Sequence, residues 1–85
     1  MNVPSSPREG GGPAQKARDK IRALLGEERG AEVINQTMRS AGLHSIDAPD
    51  ERYRFGVELT KSGGLLEAIG RAVMVQALLQ GAKAA

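Results

Sequence analysis

His44, Ser45 and Asp47 fall in one short stretch, and their side chains are those of a general base, a nucleophile and an orienting acid. Hydrolysis needs such groups converging in three dimensions, which adjacency in a loop seldom supplies. The stretch therefore reads as an exposed connection, with His44 in solvent. His44 is the only histidine and cysteine is absent, so a conventional zinc site lacks its ligands and disulfides are excluded. Asp47, Asp50 and Glu51 form the densest carboxylate group. Their spacing lacks the alternating oxygen ligands and central glycine of a calcium loop, and helix capping accounts for all three. No catalytic residue, metal ligand or cofactor site is expected.

Gly10-Gly11-Gly12 and Ser62-Gly63-Gly64 each precede a helical pattern, where exposed N–H groups can hold an anion. Neither is followed by the Gly-Lys-Ser/Thr of a phosphate loop, so both read as caps or hinges. Arg52 and Arg54 flank Tyr53 ahead of Phe55, the one place where basic and aromatic residues interleave. The two arginines diverge by about 200° on a helix of 3.6 residues per turn. The expectation is Phe55 in the core with both arginines solvated. Asn35, Gln36 and Arg39 are the best candidates for reading bases, but their helix opens with Glu27, Glu28 and Glu32, which repel phosphate. Nucleic acid is a possible partner and not the favoured one.

The elements that would position these residues follow from glycine and proline punctuation and from helical periodicity. Residues 1–12 carry Pro4, Pro7 and three consecutive glycines without apolar periodicity, as expected of a disordered tail. Pro13 suits a helix first turn, and Ala14, Ala17, Ile21, Leu24 and Leu25 then recur on one face. Gly26 is expected to cap that helix in the left-handed conformation, although one continuous helix over 13–41 is the alternative. A second helix from about residue 28 carries Ala31, Ile34, Met38 and Ala41, with Val33 alongside. It is closed by Gly42 and a Schellman turn onto Leu43. Leu43 and Ile46 anchor the connection. Asp47 is expected to cap a third helix over 48–62 with Phe55 and Leu59 inward. No alternating strand pattern with a hairpin turn is present.

The last pattern, Leu65 to Ala82, is apolar almost all round, interrupted chiefly by Glu67, Arg71 and Gln76. Leu65, Ala68, Ile69, Ala72, Val73, Val75, Ala77 and Leu79 occupy a face wider than a half-turn. Met74 and Leu78 join Glu67 and Arg71 on the rest. A helix of this kind is normally surrounded by protein. Gly70, Ala77 and Gly81 also line one edge where a second backbone can approach.

An 85-residue chain makes one domain, and at this size folding hides only about 60–65% of the unfolded surface. The formal charge of +2 is interspersed, with a basic start and an acidic middle rather than a basic stripe. The opening residues lack the apolar run of a secretory signal and no stretch is long enough to span a membrane, so cytoplasmic location is the expectation. The sequence thus predicts an all-α bundle of three or four helices in one domain over 13–85, behind a tail over 1–12. A small chain with so apolar a last helix is expected to use it for association, as a homodimer or larger assembly or on another protein. Leu65, Ile69, Val73, Met74, Ala77 and Leu78 are the candidates for core and interface together. A non-catalytic adaptor or regulatory subunit is the leading function. A small dimeric DNA-binding regulator using the helix around Asn35–Arg39 is the alternative.

Overall fold

Four helices follow one another in a computed structural model that describes residues 12–83. They are α1 (Pro13–Leu25), α2 (Glu27–Ala41), α3 (Pro49–Thr60) and α4 (Gly64–Leu79), and no strand occurs among the described residues. Except for Gly12, which stands at the N-cap of α1, the expected tail lies outside the described residues. α1 packs mainly on α2 and α3 mainly on α4, while α2 and α3 join the two hairpins. The core between them holds Ile21, Val33, Ile34, Leu43, Ile46, Phe55, Leu59, Ile69 and Val73. Phe55, Ile21, Ile46 and Leu59 are its largest fully buried side chains. Leu24 departs from the expected apolar face of α1 and is exposed.

Gly26 separates α1 from α2, which decides between two helices and one. Its φ of 94° with ψ of 162° is glycine territory, but an extended one and not the left-handed helical cap expected. It accordingly serves both helices: its N–H donates to Arg22 O at 2.8 Å, and its carbonyl accepts from Gly30 N–H at 2.8 Å. At the far end of α2 the Schellman turn forms as expected. Gly42 has φ 70° and ψ 33°, Leu43 N–H reaches Met38 O at 2.8 Å, and Leu43 is buried.

Two helix crossings are closer than ordinary side chains allow. A Cβ placed on Gly70 would lie 2.6 Å from Gly56 O, and one on Gly56 would lie 2.8 Å from Gly70 O. Here α3 and α4 touch backbone to backbone, so the close approach expected at Gly70 is made to α3 of the same chain. Gly30 plays the equivalent part between α1 and α2, where a Cβ would lie 2.7 Å from Arg22 Cα. Gly81 takes no part in such a crossing; α4 ends at Leu79, and Gly81 follows it with φ 108°.

The start of α3 differs from expectation. Its N-cap is Ala48, with Pro49 in the first turn. The cap is made in reverse, by Glu51, whose carboxylate accepts from Ala48 N–H at 3.0 Å and from the Ser45 hydroxyl at 3.1 Å. Asp47 instead donates its own N–H to Ser45 Oγ at 3.0 Å. A carboxylate three residues into the helix reaches back to the N-cap as readily as an N-cap side chain reaches forward.

Arg52 and Arg54 are structural ties. Arg54 is exposed, but its guanidinium donates to Ala41 O at 2.7 Å and so satisfies a carbonyl at the end of α2. Arg52 is only 4% exposed, against the expectation of a solvated side chain. It donates to Ile46 O at 3.1 Å, to Asp47 O at 2.6 Å and to Gln80 Oε1 at 2.8 Å. One planar fork thereby holds the α2–α3 connection against the end of α4, a task suited to a guanidinium with its five fixed donors.

Candidate functional site

Packing divides α4 into two apolar faces that its sequence does not distinguish. At 100° per residue, Ile69, Gly70, Val73 and Ala77 form the inner face, and all four are buried. Leu65, Ala68, Ala72, Val75 and Leu79 fall within about 80° of one another on a second face, centred about 135° from the first. All five are exposed, with Leu65 at 51%, Val75 at 54% and Leu79 at 75%. Their spacing alternates three and four residues, the pattern of the seam along which two helices interdigitate.

The six residues expected to serve core and interface are therefore separated. Ile69, Val73 and Ala77 are covered within the chain. Met74 is half-buried against α3, where its Cγ would lie 2.7 Å from a Cβ on Gly56. Leu65 and Leu78 remain exposed, with Leu78 on the flank of the outer stripe. Ala68, Ala72, Val75 and Leu79 complete that stripe. They were visible in the sequence only as part of one undivided apolar face.

On α4 itself charge is sparse along the stripe: Arg71 stands beside it and pairs with Glu67 one turn earlier at 2.6 Å, while Lys16 and Lys20 of α1 lie across a cleft from Ala72. The two small residues in the middle, Ala68 and Ala72, let a facing helix come closer than leucines would, since interaxial distance follows the side chains at the contact.

The residues first considered for chemistry do not converge. His44 is exposed and has no hydrogen bond to Ser45 or Asp47 among the described residues. The Ser45 hydroxyl is spent on Glu51 and on Asp47 N–H. Accepting the Ala48 N–H is the main cause that holds the Glu51 carboxyl below the usual range; burial opposes it, and Ser45, Arg54 and Arg52 assist. No group of three or more His, Asp or Glu among the described residues is placed to hold a metal ion. Asn35, Gln36 and Arg39 are exposed on α2, but Glu28 and Glu32 share their surface, and Glu32 pairs with Arg29 at 3.2 Å. Among the described residues, no helix is long and apolar enough to cross a membrane.

No family model, curated protein or solved structure matches this chain.

Proposed function

We propose that the chain is a non-catalytic association module that pairs with a second copy of itself through the outer stripe of α4. The observation that carries this reading is the exposure of Leu65, Ala68, Ala72, Val75 and Leu79 in alternating three- and four-residue steps. A two-fold antiparallel pairing matches small residues to large ones. It sets Leu79 of one copy over Ala68 of the other and Val75 over Ala72, and symmetry repeats both contacts. α4 is about 24 Å long at 1.5 Å per residue, so the seam alone buries on the order of 300 Å² per copy. That is below the roughly 800 Å² per partner of a standard interface, and the pair should form and separate with concentration.

Sedimentation equilibrium across micromolar to millimolar chain tests this reading. The wild-type mass should double with rising concentration, with little response to salt. Val75→Asp and Leu79→Asp should each remain monomeric with unchanged helicity, because neither side chain belongs to the core. A wild-type chain monomeric throughout, or variants that still pair, would refute the assignment. The nucleic-acid alternative would instead show binding that falls steeply with salt as counterions are released. Glu28 and Glu32 beside Asn35 and Arg39 weigh against it.

A further inference from the structure

We propose that the cleft between α1 and α4 is a binding site for a small amphipathic carboxylate. A cavity of about 210 Å³ opens there, room for a small organic ligand. Lys16 and Lys20 of α1 and Arg52 of α3 supply its charge, and no carboxylate lines it. Its alkyl walls are Ala17 on one side and Ala72 and Val73 on the other, with Gln76 and Gln80 beside them. Three cations over an apolar floor fit an anionic headgroup on a short hydrocarbon body better than they fit a bare inorganic ion.

A further observation points to an absent anion. Among the described residues, Lys16, Lys20 and Arg52 make no ion pair with a carboxylate, a condition they share with Arg18, Arg39, Arg54 and Lys83. Arg52 is the cation for which this matters most. It is buried, its three acceptors are all neutral oxygens, and its Nε has no partner. The Glu51 carboxylate is near enough to feel Arg52 but makes no ion pair with it; a buried guanidinium without a bonded counterion is costly, and a carboxylate held among Lys16, Lys20 and Arg52 would supply one. The N-terminal turn of α1 adds to the field. Pro13 also lines the cavity, and that turn carries neither an acidic residue nor a side-chain cap, leaving the positive end of the helix dipole unopposed.

The test is a nitrogen-15 NMR titration of the full chain with hexanoate, hexanamide and inorganic phosphate. It reads the Arg52 Nε–H signal and the Ala72 and Val73 amides. Hexanoate should move all three to saturation. Hexanamide, of the same shape without the charge, should bind at least roughly tenfold more weakly, the loss expected when a charge-assisted hydrogen bond is removed. Phosphate should be similarly weaker, because it leaves the alkyl walls empty. Lys20→Gln and Lys16→Gln, both at exposed positions, should each weaken hexanoate several-fold without altering the rest of the spectrum.

Equal midpoints for acid and amide would overturn the proposal, as would phosphate matching hexanoate. A shift of the Arg52 signal in Glu9→Gln without added ligand would also overturn it, by showing that the chain supplies its own counterion. Repeating the titration in Val75→Asp keeps the result independent of self-association.

Discussion

Replacing Gly70 by alanine adds one methyl group at the point where α3 and α4 touch, and two effects of opposite sign follow. In a helix interior, alanine is favoured over glycine by about 1 kcal/mol. Against that, the new Cβ would lie 2.6 Å from Gly56 O and 2.9 Å from Leu59 Cβ. The first contact is with backbone, so no side chain can swing aside and the helices must separate by a few tenths of an ångström or more. Overpacking of a well-packed contact costs about 1–3 kcal/mol, and a clash against backbone belongs at the upper end, near 3 kcal/mol. The net expectation is a destabilisation of about 2 kcal/mol, large for a domain whose core supplies only about 3–5 kcal/mol. At roughly 4–8 °C per kcal/mol for a domain of this size, Tm should fall by about 8–16 °C. Thermal and urea unfolding followed by far-ultraviolet circular dichroism give the value, with Gly12→Ala as a control whose Cβ meets nothing within 4 Å. A Gly70→Ala protein as stable as wild type, or more so, would mean that propensity outweighs the close crossing and that α3 and α4 are not in backbone contact there.

Two other perturbations address the ties at the start of α3. Arg52→Ala should lower stability by about 2–4 kcal/mol, since it deprives Ile46 O and Asp47 O of their shared donor and opens a void; chemical denaturation measures this, and a near-neutral result would refute its role as a tie. Glu51→Gln should destabilise at neutral pH and progressively less in acid. The folded carboxyl titrates below its unfolded value, so its contribution is present above the unfolded pKa and is lost as pH falls through the folded one. Melting curves of both proteins from neutral pH into acid should therefore converge, and a constant separation would contradict the cap.

Much of the architecture was legible because its signals are local. Pro13 marks a helix start by its fixed φ, Gly26, Gly42 and Gly63 mark helix ends by positive φ that other residues avoid, and Ile21, Ile34, Phe55 and Leu59 declare the core by periodicity. Arg52 shows the limit. Its acceptor Gln80 stands 28 positions away, and nothing near Arg52 in the chain marks it as different from Arg54. The Asp47 cap does not form because the N-cap falls one residue later, at Ala48, whose N–H is satisfied by Glu51 from within the helix. The division of α4 was illegible for a different reason. When nearly every side chain is apolar, periodicity carries no directional information, and only the position of α3 separates Val73 from Val75. Leu65 and Leu78 stand among the sequence's interface candidates and are exposed, while the exposure of Ala68, Ala72, Val75 and Leu79 is set by which neighbour packs on α4.

The pairing of α1 with α2 and of α3 with α4 also bears on how the chain reaches its native state. Each pair is joined by a short connection, so most of the surface to be buried is close by along the polypeptide and little loop entropy is spent before contacts form. Topologies of this low contact order fold in microseconds to milliseconds, near the fast end for their size. If the hairpins form first, the α2–α3 segment, which brings Leu43 and Ile46 into the core, closes last, and amide hydrogen exchange should then be slowest within the hairpins.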